Sequence, residues 1–148
     1  MNLPVNKFIV DRKIKVLLVG CGRISKKHIE AIQTHEKDLE LVAVCDINKH
    51  VLIESEKKLN VKGYTTLNDA LYSSNADLFV ICTPSGLHPK QVIQCADAGK
   101  HIVTEKPMAT RWKDGIEMVK VCDRADTLLF VVKQNRYNNT LRLLKKRN

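Results

Sequence analysis

The sequence predicts an α/β fold, a doubly wound parallel sheet (Rossmann-like) of about six strands, on three observations. Short apolar runs alternate with amphipathic stretches from residue 14 almost to the end. That alternation is the pattern of parallel strands joined by right-handed crossover helices. Cap-forming residues stand at several of the boundaries, and a glycine pair, Gly20 and Gly22, joins the first apolar run to the first amphipathic one.

The elements follow in order. Residues 14–19 (IKVLLV) read as a buried strand, from the short apolar run 16–19 that follows Lys15. A helix follows over about 25–35, and LELVAVC at 39–45 reads as the second strand. Asn48 caps a helix at 48–59, a weak strand sits at 62–65, and Thr66 caps a helix at 67–73. DLFVIC at 77–82 is the next strong strand, and the helix at 88–98 runs into Gly99, where a left-handed helix end favours glycine. A short strand at 101–104, a helix at 110–125 capped by Thr110, and a strand at 128–132 complete the set.

Composition bounds the function. With 148 residues and 44 % hydrophobic content, one domain with a real core is expected. No apolar run approaches the ~18 residues of a membrane span, and the N-terminus lacks the apolar core of a secretion signal. The five cysteines lie at least 13 residues apart without a C-x-x-C pair, so neither a disulfide framework nor a metal site is expected. These features suit a reducing, cytoplasmic setting. The net charge of +9 is uneven, because residues 133–148 hold six basic and no acidic residues, leaving +3 for the other 132. A nucleic-acid-binding face spreads its charge over several elements. Here the excess is a tail, so neither nucleic acid nor membrane is expected as a partner.

The organisation expected is a leader over 1–13, one α/β domain over 14–138, and at 139–148 the start of a helix that leads out of this domain.

The glycine segment Gly20-Cys21-Gly22-Arg23-Ile24-Ser25 is the first candidate site. Glycine permits a tight turn and a close approach of backbone to a pyrophosphate, and the N–H groups at the helix start are free donors. The third motif position is Ser25, small enough to keep helix and strand in contact. Asp46 ends the second strand, 26 residues after Gly20, where a carboxylate accepts from the adenosine ribose hydroxyls and repels a 2′-phosphate. Ile47 and Asn48 follow rather than arginine, which favours NAD over NADP. The plain alternative is that Asp46 caps the helix at 48–59.

Ligands in such sheets bind beyond the carboxyl ends of the strands. Thr83-Pro84-Ser85-Gly86-Leu87-His88 stands at one of these ends; Pro84 holds Thr83 extended as a stiff wall, and His88 is a candidate for the ribose or diphosphate. Glu105-Lys106-Pro107 stands at the next. Pro107 keeps Lys106 out of the helical region, so the lysine projects from the strand end. A lysine in a partly dry crevice beside a cationic nicotinamide gives up its proton readily, which suits acid–base work on a hydroxyl. After the last strand, Gln134 and Arg136 belong to a polar run able to position a carboxamide or an anionic substrate.

GCGRIS, CDIN, CTPSGLH and EKP occur in one order and spacing that resembles the nucleotide-binding half of the glucose–fructose oxidoreductase/inositol dehydrogenase (Gfo/Idh/MocA) family. The resemblance implies NAD(P)-dependent oxidation of a sugar or cyclitol hydroxyl to a ketone, with Lys106 as the catalytic lysine, often before a cis proline bond, and Glu105 near the ribose or nicotinamide. It also implies a second domain that supplies the sugar contacts, a histidine partner for the lysine and, usually, the oligomer interface. VVKQNRYNNTLRLLKK is similar to the subgroup that oxidises UDP-N-acetylglucosaminuronate-type sugars at C3 in bacterial surface-polysaccharide synthesis. The chain alone is expected to bind NAD without turning over a sugar. A different sugar or inositol dehydrogenase is the nearest alternative. A non-catalytic NAD-sensing module is another, against which the projecting Lys106 argues.

Overall fold

The computed structural model describes residue 9 and residues 11–133. Among these residues, six strands form one sheet: β1 Ile14–Val19, β2 Leu39–Cys45, β3 Lys62–Tyr64, β4 Leu78–Ile81, β5 His101–Thr104 and β6 Leu129–Val131. All neighbouring pairs are parallel and the spatial order is β3-β2-β1-β4-β5-β6. Five helices cross between them: α1 Ser25–Thr34, α2 Lys49–Leu59, α3 Leu67–Ser73, α4 His88–Asp97 and α5 Trp112–Arg124. The expected doubly wound sheet is therefore present, each element within two residues of its expected bounds.

Side-chain alternation along the strands builds two cores. Leu17, Val19, Phe79, Ile81 and Ile102 face one side and pack with Val92 and Cys95 of α4 and Met118 of α5. Val16, Leu18, Val44, Val80 and Cys82 face the other, against Ile32 of α1 and Leu52 of α2. Because β1 and β4 are covered on both faces, Val16–Val19 of β1 and all of β4 read as continuous apolar runs.

The caps explain the boundaries. Asn48 accepts from the N–H groups of His50 and Val51, and Thr66 from that of Asp69. At the end of α4, Gly99 has φ +70°. Its N–H donates to Ala96 O and that of Lys100 to Cys95 O, which closes the helix. Thr110 does not cap α5. The helix starts two residues later, with Arg111 at the cap position and no side-chain cap bond; Arg111 instead pairs with Asp114 across the first turn.

Within the expected leader, Arg12 is tied down. Its guanidinium donates two bonds to the Asp77 carboxylate, at 2.7 and 2.9 Å, and Lys15 N–H donates a third. The expected helix start at 139–148 lies outside the described residues. Among the described residues, no helix is long and apolar enough to cross a membrane.

The Arg12 guanidinium, more than the Lys15 amide, holds the Asp77 carboxyl below its ordinary range. A carboxyl whose folded-state pKa is depressed adds stability above its unfolded value, and that contribution is lost as pH falls through the folded value. Asp77→Asn is therefore expected to lower the urea midpoint at neutral pH, with the difference from wild type closing as the pH falls below the carboxylate range. An unchanged difference at acid pH would show that charge is not what Asp77 contributes.

Candidate functional site

Strand order reverses between β1 and β4: α1 and α2 carry the chain outward to β2 and β3, while α4 and α5 carry it the other way to β5 and β6. A crevice opens at such a reversal, beyond the carboxyl ends of the two central strands. The glycine segment and Thr83 stand there.

Gly20 leaves β1 with φ +91°, and its N–H donates to Cys45 O at 2.8 Å. A Cβ at this position would lie 3.0 Å from the Cys82 carbonyl carbon and 3.1 Å from Thr83 Cγ2. Only glycine suits both the backbone conformation and the gap. Gly22 differs, since an added Cβ would meet nothing within 4 Å among the described residues. Ser25 is buried at the first position of α1 and donates to Gly22 O at 2.6 Å, holding the turn against the helix as a small residue can. Among the described residues no side chain caps the N-terminus of α1, and its first turn holds no acidic residue. Open space over Gly22 therefore adjoins an uncovered, partly positive helix end, with the Arg23 and Ile24 backbone at its rim.

Asp46, half-buried, braces this turn from the end of β2. Its Oδ2 accepts from Cys21 N–H and its Oδ1 from Asn48 N–H, both at 2.8 Å. The cap of α2 is Asn48, so Asp46 is not the helix cap. A carboxylate has about four acceptor sites, so two remain for hydroxyl donors. These features fit a dinucleotide: a pyrophosphate at Gly22 and the α1 terminus, and a ribose at Asp46.

At the end of β4, Thr83 Oγ1 is hydrogen-bonded to Gln91 Oε1, and Pro84 is exposed. The loop then forms a single 3-10 turn, Ser85–Leu87, which the sequence reading did not include. His88 is a correction. It is 1 % exposed, with Nε2 2.8 Å from Thr83 O and Nδ1 3.0 Å from Pro107 O. Both ring nitrogens point at backbone carbonyls inside the protein, one of which takes the ring N–H, so His88 packs between the β4 and β5 loops instead of facing a ribose or diphosphate.

At the end of β5, the Lys106–Pro107 bond is cis, as the family resemblance implies. Lys106 is exposed, and its ammonium has no partner among the described residues, so these residues do not supply the dry surroundings expected for it. Glu105 is buried. Its Oε1 lies 2.7 Å from His28 Nε2, and its Oε2 accepts from Lys106 N–H at 3.3 Å.

His28 was not among the expected site residues. The signal was the inward stripe of α1 at 25, 28, 29 and 32, where a histidine needs a polar partner. Gln134 and Arg136 lie outside the described residues. All five cysteines are free thiols. Burial pushes those of Cys45 and Cys82 up to about 12, which suits packing and not redox work.

The two glycines separate fold from binding. Gly20→Ala is expected to cost about 1–3 kcal/mol of stability, from the unfavourable φ and the contact with Cys82. Gly22→Ala should leave the urea midpoint near wild type. Equal losses at both positions would contradict this geometry.

Residues 14–133 match the family described as "Oxidoreductase family, NAD-binding Rossmann fold" (GFO_IDH_MocA). The chain is similar to the WlbA dehydrogenase of Bordetella pertussis, crystallised with NADH and UDP-GlcNAcA. Identity is 56 %, the TM-score is 0.89, and the match covers 91 % of this chain and 41 % of that one. The WlbA dehydrogenase of Chromobacterium violaceum, with the same ligands, matches at 52 % identity and TM-score 0.90 over 93 % and 40 % of the two chains. Myo-inositol 2-dehydrogenase of Thermotoga maritima is 30 % identical over 133 residues, 89 % of this chain and 40 % of that protein. The chain thus spans about 40 % of the length of these relatives. Fold, glycine turn and family match agree, and the chain belongs to the Gfo/Idh/MocA oxidoreductases, within the NAD-binding Rossmann domain of that family.

Proposed function

We propose that this chain is the cofactor half of a dehydrogenase that oxidises a sugar hydroxyl, C3 of a UDP-N-acetylglucosaminuronate-type sugar nucleotide. The carrying observation is Lys106. It projects without a partner among the described residues from the end of β5, at the same sheet end as the glycine turn and one strand beyond β4. The high identity to two enzymes crystallised with NADH and UDP-GlcNAcA supports the choice of sugar. An inositol or other cyclitol is the second reading, favoured by the T. maritima relative.

NAD, when bound, supplies the hydride acceptor. The backbone at Gly20, Gly22, Arg23 and Ile24 holds the pyrophosphate, and Asp46 accepts from the adenosine ribose. Thr83 and Pro84 wall the nicotinamide side, with Gln134 beyond β6. Lys106 is the catalytic residue that takes the hydroxyl proton, and Arg136 contacts the substrate. A second domain contributes the remaining sugar contacts, a histidine partner for Lys106 and the surface of a homo-oligomer. The free thiols suit a cytoplasmic location.

Thermal melts of the chain with NADH, NADPH and buffer test the cofactor half. At about 100 times its dissociation constant, NADH should add about 2.7 kcal/mol, several degrees, and exceed NADPH. Asp46→Ala should erase that preference. No shift with either nucleotide would defeat the proposal.

For the chemistry, Lys106→Ala is tested in the chain joined to its substrate domain. It should retain the NADH shift while oxidation of the UDP-sugar falls by about 10²–10⁴. Turnover near wild type would remove Lys106 from the reaction.

A further inference from the structure

We propose that His28 is a positioning residue for the nicotinamide end of the dinucleotide, acting through Glu105 on the backbone at Lys106. This rests on the NAD reading above and adds a residue to it.

The pair is not a surface ion pair. The side chains of His28 and Glu105 are only 17 % and 10 % accessible, and Nε2 and Oε1 are 2.7 Å apart. A carboxylate so withdrawn from water needs partners, and leaving it with fewer is costly. Among the described residues, the Glu105 carboxylate has two: the His28 ring and the Lys106 N–H. The Lys106 ammonium is not one of them. Because a carboxylate only accepts, Nε2 donates the bond.

Topology gives the pair its meaning. Alternation along β5 turns Ile102 and Thr104 toward α4 and α5, and so turns Glu105 toward α1. Glu105 there meets His28 in the first turn of α1. That turn is the one whose free N–H groups follow Gly22. One hydrogen bond, between residues 77 apart in sequence, therefore joins the pyrophosphate end of the site to the lysine end. The adenosine end has its own brace, the Asp46 bond to Cys21 N–H.

Without the imidazole, Glu105 must turn toward water and release Lys106 N–H. The walls of the nicotinamide region shift, while the adenosine region keeps its support. A residue that merely stabilised α1 would affect both ends alike.

The test compares dissociation constants for NADH and for ADP, which lacks the nicotinamide riboside, on the 148-residue chain. His28→Ala is expected to weaken NADH about tenfold, the scale of one charge-assisted hydrogen bond, and to leave ADP within about twofold. His28→Gln, whose amide can donate to Glu105, should recover most of the NADH affinity. Glu105→Gln combined with His28→Ala should be no worse than His28→Ala alone. If His28→Ala does not fold, the size-conserving Glu105→Gln and His28→Gln decide, the first weakening NADH selectively and the second not. Equal weakening of NADH and ADP, or no change in either, would overturn the proposal. A wild-type chain that binds no NADH would instead defeat the NAD reading itself.

Discussion

The peptide leaving β1 at Gly20 passes so close to the end of β4 that a single added carbon would stand 3.0 Å from the Cys82 carbonyl carbon. Much of the crevice depends on that approach. It lets α1 start directly against the sheet, with its N–H groups uncovered. It brings the Cys21 amide within reach of Asp46 on one side, and His28 within reach of Glu105 on the other. A bulkier residue at Gly20 would push the turn outward and strain both braces.

The site is consequently held by backbone groups and buried polar pairs that span different strands. Asp46 supports the turn from β2, His88 packs between the loops after β4 and β5, and Glu105 links the β5 loop to α1. Rigid strands place the ends, and these bonds fix the loops between them. In contrast, the groups with chemistry to offer, Lys106 and the open space over Gly22, are left without partners among the described residues. The polar pairs that brace the loops are satisfied inside, while Lys106 is exposed.

The fold was legible in the sequence because its signals are local. Continuous apolar runs marked strands buried on both faces, Asn48, Thr66 and Gly99 marked helix ends, and all three do so here. Thr110 misled because Arg111, with its bonds to Asp114, starts the helix in its place. The site was half legible. The motif of Gly20, Gly22 and Asp46 announces the tight turn and its brace, since Gly20 has a positive φ and Cys21 N–H donates to Asp46. His88 was placed at the ligand because it stands at a helix start in the right loop, yet its burial depends on Pro107, 19 residues away. The stripe of α1 marks His28 as an inward histidine, but its partner lies 77 residues along the chain, and the stripe does not say what it meets.

The most direct test of the account is an amide NMR titration of the chain with NADH. If the strand-order reversal is where the dinucleotide lies, the largest shifts fall on Gly22, Arg23, Ile24, Thr83 and Lys106, at one end of the sheet. Asp77 and Lys100, at the opposite end, stay unmoved. Shifts centred on the exposed face of α5 around Trp112, Ile116 and Val119, or spread evenly over the chain, would contradict it.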